Sequence, residues 1–130
     1  MILIDTSVWI DHLAHPVTHL VNLIEASAFP PILTHPFVIG ELACGAFPGR
    51  TGILAELRRL RQTVRASDQE ALTFIEAHAL MGRGIGLIDV HLLASTLITP
   101  GTRLWTHDKR LAQAANDLSI AYTPTPGDEG

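Results

Sequence analysis

The sequence predicts a three-layer α/β sandwich with a central, mainly parallel sheet, and three observations carry that prediction. Short aliphatic runs alternate with amphipathic segments along the whole chain. The segments between the runs are long enough to act as helical crossovers, which parallel neighbours require. The core residues are mostly aliphatic, with 47% apolar residues against 5% aromatic. The 130 residues are expected to form one domain over positions 1–122, followed by a flexible tail at 123–130 with two prolines, two glycines and two acids.

Met1, Ile2, Leu3 and Ile4 run without a polar residue, as a strand buried on both faces does. Asp5 ends the run, and Thr6 and Ser7 are helix-capping residues ahead of Val8, Trp9, Ile10 and Leu13. Asp5 is therefore expected at the carboxyl edge of the sheet, where open α/β folds bind ligands; capping of the next helix is the alternative. Val17, Leu20, Val21, Leu23 and Ile24 recur at helical spacing, until Pro30 and Pro31 end the segment. Positions 32–34 form a short strand, and His35-Pro36 opens a helix with Glu41 in its middle. A loop at 47–52 precedes an amphipathic helix over 53–61.

A weak strand is expected at 63–65. Ser67 and Glu70 then form a capping box for a helix continuing to Gly82. The Gly84-Ile85-Gly86 turn delivers the chain to Leu87–Ala94, the most apolar helix and so expected to be central and buried. Pro100-Gly101 turns into a strand at 103–106, His107 and Asp108 lead into a helix, and 120–122 forms a last strand.

Composition excludes several classes. The single cysteine, Cys44, allows neither an intrachain disulfide nor a cysteine zinc cluster, and is expected as a small buried residue in a reducing compartment. No signal peptide is readable and no apolar run approaches the roughly 20 residues of a membrane span, so a soluble, cytoplasmic protein is expected. A net charge of −4 argues against bulk attraction to nucleic acid. A phosphate substrate must instead meet a local basic patch or a cation bound to acids. Arg58, Arg59, Arg61 and Arg65 are the best local cluster for phosphate contact, with a solvated helix face as the alternative; the only lysine is Lys109.

Four acids stand in apolar or turn-like surroundings: Asp5, Glu41, Asp89 and Asp108. A lone carboxylate there is costly unless paired, and no base lies near Glu41 or Asp89 in sequence. The economical solution is that the four meet in space and share divalent cations. Oxygen ligands suit Mg²⁺ or Mn²⁺. Such a centre at a sheet edge suits phosphodiester hydrolysis, in which the metal acidifies a water and stabilises the leaving oxygen. His91, about 200° around the helix from Asp89, is expected to face away. Asn116 or Asp117 could approach the cluster, and His107 could touch the phosphodiester substrate, although a plain polar role is the simpler reading.

These residues, Asp5 to Asp11, Glu41, Gly86 to Ala94 and Leu104 to Leu111, resemble the PIN-domain ribonucleases, and more narrowly the VapC toxins of type II toxin–antitoxin systems. The resemblance implies a PIN-domain α/β/α sandwich, a Mg²⁺- or Mn²⁺-dependent endoribonuclease, a VapB-type antitoxin, a homodimer and a toxin–antitoxin hetero-oligomer. It implies that Asp5, Glu41, Asp89 and Asp108 form the acidic quartet. Asp5 and Asp89 are the candidates for direct metal ligation, and Glu41 and Asp108 for contact through water. Thr6 and Thr106 match hydroxyl positions that could orient a carboxylate or water. A free-standing nuclease and a non-catalytic RNA-binding module are the alternatives. A phosphoacceptor receiver domain lacks its adjacent acids here, and Ser7 stands where an aspartyl phosphatase needs a second Asp.

Overall fold

The structure, a computed structural model, describes residues 1–124; positions 125–130 of the expected tail lie outside the described residues. Its elements follow in the order β1 (Ile2–Ile4), α1 (Thr6–Ala14), α2 (Thr18–Glu25), β2 (Ile32–Leu33), α3 (Pro36–Ala43), α4 (Arg50–Arg59), α5 (Asp68–Ala77), α6 (Leu87–Ile98), β3 (Arg103–Trp105) and α7 (Lys109–Asp117). The sheet has the order β2-β1-β3, with both pairs parallel. Single parallel bridges, Thr34 to Gln62 and Leu104 to Ala121, extend it at either side. The expected α/β sandwich with a parallel sheet is the fold observed. Among the described residues no helix is long and apolar enough to cross a membrane.

The core explains the run at the start of the chain. Leu3, Ile4, Ile32, Leu33, Leu104 and Trp105 are each at most 2% exposed, so the sheet is covered on both faces. Ile2 pairs with Ile32 on one side and Arg103 on the other, which makes β1 the centre. Ile4 lies opposite Trp105, and the next residues on the two strands, Asp5 and Thr106, leave the sheet together at its carboxyl edge.

Four expectations are corrected. The strand at 63–65 reduces to the bridge at Gln62, because the Val64 N–H turns aside to the Thr99 hydroxyl and the Val64 side chain is exposed. The helix expected to reach Gly82 stops at Ala77. Ala79 takes a positive φ of 50° and the Leu80 N–H reaches back to Ile75 O, closing the end as a left-handed cap does and burying Leu80. In α6 only Val90 to Thr96 is buried; Leu87, Ile88, Leu97 and Ile98 are exposed at its ends. Cys44 is exposed rather than buried, because it caps α3 at the surface. Nearby, the Arg50 guanidinium donates to Ala43 O and Gly45 O, carbonyls that the end of α3 leaves without helical partners.

Candidate active site

Each of the four acids reaches the carboxyl edge by a different local device. Asp5 follows the central strand, held by its N–H donating to Trp105 O at 2.9 Å, and is 5% exposed. Glu41 lies near the end of α3, whose start is fixed by His35. Asp89 occupies the first turn of α6, and Asp108 is the N-cap of α7. Capping was the alternative reading for two of them. Asp108 does cap, through one oxygen, whereas the Asp5 side chain makes no cap bond to α1.

One pattern joins all four. In each carboxylate one oxygen is held by the protein and the other has no hydrogen bond among the described residues. Asp5 Oδ2 accepts from Ser7 Oγ at 2.6 Å and from Thr106 Oγ1 at 2.7 Å. Glu41 Oε1 accepts from Thr6 Oγ1 at 2.8 Å. Asp89 Oδ2 accepts the Gly86 N–H at 3.2 Å. Asp108 Oδ1 accepts the N–H groups of Arg110 and Leu111 at 2.9 and 3.0 Å. Four oxygens are thus oriented by bonds to their twins.

The acids also act on one another. Burial, foremost, pushes the Asp89 carboxyl above its ordinary range; the Gly86 N–H works the other way, and repulsion from Asp5, Asp108 and Glu41 adds to the rise. No basic side chain among the described residues offsets that repulsion. Even so, no three His, Cys, Asp or Glu side chains among the described residues are gathered into a ready ligand set. Taken singly or in pairs, carboxylate oxygens are donors that suit Mg²⁺ or Mn²⁺. These ions take oxygen, and Mg²⁺ keeps several waters while binding one or two carboxylates directly. Carboxylate oxygens suit zinc less well, because that ion draws mainly on histidine and cysteine.

The hydroxyls form a small relay. Thr6 serves Glu41, while Thr106 serves Asp5, lies 3.1 Å from Ser7 Oγ and accepts the Asp108 N–H at 3.0 Å. Ser7 also accepts the His107 N–H at 2.9 Å, joining the start of α1 to the loop after β3. Sequence reasoning missed Ser7, because a serine two residues after a strand end looks like any other helix cap. It also missed His35, whose Nδ1 accepts the Phe37 N–H at 3.0 Å, which leaves Nε2 to donate to Ser95 Oγ at 3.2 Å. Burial, then repulsion from Arg65 and from the neighbouring His91 ring, push His35 down to about 4, so it is neutral. It ties the start of α3, and with it Glu41, to α6, which carries Asp89.

Other candidates fall elsewhere. His91 is buried against Phe37 and faces Asp68 at 3.4 Å. His107 pairs with Asp11 at 2.5 Å. Asp117 is engaged by Arg83 and Gln113, and Asn116 lines a separate cleft. Arg58 and Arg59 are exposed on the last turn of α4, where Arg59 lies 3.5 Å from Glu56; Arg61 is exposed, and Arg65 stacks over the Phe37 ring. None of these four arginines bears on Asp89.

Comparison with known proteins agrees with this architecture. Residues 2–117 match the family model described as PIN domain. The chain is 41% identical over 124 residues to Ribonuclease VapC32 of Mycobacterium tuberculosis, in strains CDC 1551 / Oshkosh and ATCC 25618 / H37Rv, covering 93% of this chain and 95% of the relative. The crystal structure of FitAcB from Neisseria gonorrhoeae is similar in fold, with a TM-score of 0.61 at 17% identity, covering 93% of this chain and 95% of that one.

Proposed function

The chain belongs to the PIN-domain family and, within it, to the VapC ribonucleases, and from that premise we propose that it is a divalent-metal-dependent endoribonuclease, the toxin of a type II toxin–antitoxin pair. The observation that carries the reading is the half-anchored state of Asp5, Glu41, Asp89 and Asp108, each with one oxygen held and one left over. Asp5 and Asp89 would hold Mg²⁺ or Mn²⁺ directly, with Glu41 and Asp108 acting through water, and the bound ion supplies an acidified water and positive charge for the phosphodiester.

The chain's own residues do the positioning. Ser7 and Thr106 fix the plane of the Asp5 carboxylate, so its second oxygen cannot swing away. Thr6 does the same for Glu41 from the next position along α1. Gly86 holds Asp89 against the start of α6, and the first amides of α7 hold Asp108. Hydrogen bonds of this kind, made by the neighbours of metal ligands, set ligand orientation and affinity.

The partners on this reading are RNA, a VapB-type antitoxin and a second copy of the chain, with a toxin–antitoxin hetero-oligomer as the resting form. An apolar cleft of about 470 Å³ between α1, α2 and α4, walled by Trp9, Leu13, Ile24, Ile53 and Leu57, supports a docked protein partner. The test is cleavage of end-labelled RNA by the purified chain. Cutting is expected with Mg²⁺ or Mn²⁺, none in EDTA, and none by Asp5→Asn. RNA left whole by the wild type with either metal, or cut equally by Asp5→Asn, overturns the reading.

A further inference from the structure

A second cleft, of about 370 Å³, is lined by Thr106, whose hydroxyl holds Asp5, and by Lys109, the chain neighbour of Asp108, while the four acids themselves lie outside its walls. Its walls come from β3, α7 and the bridge at Ala121, with Trp105, Lys109, Ala112, Gln113, Asn116 and Ala121 among the lining residues. The volume is at the small end of ligand-sized pockets, too small for a docked helix and suited to a single nucleotide.

The lining is ordered along α7. Lys109, Gln113 and Asn116 follow at i, i+4 and i+7, so they share one face of the helix and run away from Asp108 over about 10 Å. Lys109 is the only lysine in the chain and stands at the first position of the helix, where the macrodipole disfavours a cation. A basic residue held against that gradient, one position past an acid of the site, is placed for a phosphate. Gln113 donates from Nε2 to Asp117 Oδ1 at 2.9 Å, and Asp117 Oδ2 takes Arg83 at 2.7 Å. That chain fixes the Gln113 amide and leaves its carbonyl oxygen to accept. The Asn116 side chain is exposed and has no hydrogen bond among the described residues.

We propose that this cleft is the subsite for the nucleotide next to the cut, with Lys109 on its phosphate and the Gln113 and Asn116 amides reading the edge of its base. Amides in a cleft with an apolar wall suit an unstacked base of single-stranded RNA, whose edges are open to hydrogen bonding. The inference rests on the ribonuclease reading and assigns that reaction a local sequence preference.

Two measurements on the full chain test it. Cut sites are mapped on random-sequence RNA with wild type, with Asn116→Ala, and with Gln113→Ala/Asn116→Ala, each checked for its melting temperature. Asn116→Ala leaves the Gln113–Asp117–Arg83 chain intact, so it separates recognition from stability. The preference at the nucleotide beside the cut is expected to flatten roughly fivefold per lost hydrogen bond. In parallel, the side-chain NH₂ signals of Gln113 and Asn116 are followed by NMR in EDTA as a short oligoribonucleotide is added, and both are expected to shift. If wild type cuts RNA, the preference survives in both variants and neither signal moves, the subsite is overturned while the ribonuclease stands. If the signals shift but no RNA is cut, the subsite stands and the cleavage reading falls.

Discussion

The Thr106 hydroxyl donates to Asp5 Oδ2 over 2.7 Å while its oxygen accepts the Asp108 N–H at 3.0 Å. One side chain therefore sets the acid that follows β1 and the cap of α7 at once. Thr106→Val keeps the shape and removes both bonds. Cleavage is expected to fall about 10- to 100-fold, the usual effect of losing a hydrogen bond that orients a metal ligand. Thr6→Val, which touches Glu41 alone, is expected to lose less. Parallel kcat/KM measurements at several Mg²⁺ concentrations check both, and equal activity in wild type and Thr106→Val would contradict the relay.

Asp89 gives a prediction in which stability and activity part. Its folded-state carboxyl lies above the ordinary 3.8, so the unfolded chain releases the proton first as pH rises. Without metal, Asp89 therefore lowers stability progressively as pH climbs from about 3.8 through its raised value, and the penalty then stays constant. Asp89→Asn removes the charge and keeps an oxygen for the Gly86 N–H. In EDTA at neutral pH its melting temperature is expected to equal or exceed that of wild type, while cleavage disappears. Added Mg²⁺ is expected to raise the wild-type melting temperature and to do little for the variant. A variant that melts well below wild type in EDTA would defeat this account.

His35 predicts an acid limb in the stability curve. Its proton affinity falls from the ordinary 6.5 to about 4 on folding. Stability is expected to be intact above about pH 6.5 and to decline as the unfolded state takes up the proton, by on the order of 3 kcal/mol at about pH 4. Asn is a good N-cap and can accept the Phe37 N–H in place of Nδ1. His35→Asn is therefore expected to flatten that part of the curve while forfeiting the bond to Ser95. Thermal unfolding at half-unit pH steps decides the matter; an unchanged slope in the variant would assign the acid limb to other groups.

Gly84 has a φ of +76°, and a Cβ there would fall 2.4 Å from the Arg110 guanidinium. Gly84→Ala should cost about 1–3 kcal/mol from the backbone conformation, with the clash in addition. Adding Arg110→Ala should recover the clash and leave the backbone cost. Chemical denaturation of the two single variants and the double variant separates these contributions. Strict additivity would mean that the arginine yields freely.

The parts of this fold that were legible in the sequence are those where hydrophobicity stops abruptly. Ile2–Ile4 and Leu104-Trp105 are buried on both sides, so the polar residues that follow them mark the sheet edge in the sequence itself. The capping box at Ser67 and Glu70 was equally readable, since its two side chains have few other uses at that spacing. Less legible were features decided by tertiary surroundings. Nothing local reveals that Thr6 turns to α3 while Ser7 turns back to Asp5. Nothing in the Leu87–Ile98 run tells which leucines other elements will cover. Cys44 was misjudged because small residues near a helix end are buried or exposed according to packing alone.

The pairing of β1 with β3 carries a consequence for timing. The middle strand of the sheet contacts partners some thirty and one hundred residues further on, as at Ile2 with Ile32 and Arg103. A chain emerging from the ribosome would thus hold Asp5 long before Thr106 and Asp108 exist to meet it. Such distant closure is the slow part of folding. The acids at the sheet edge can therefore come together only after residues 103–108 have been made and β3 has docked beside β1.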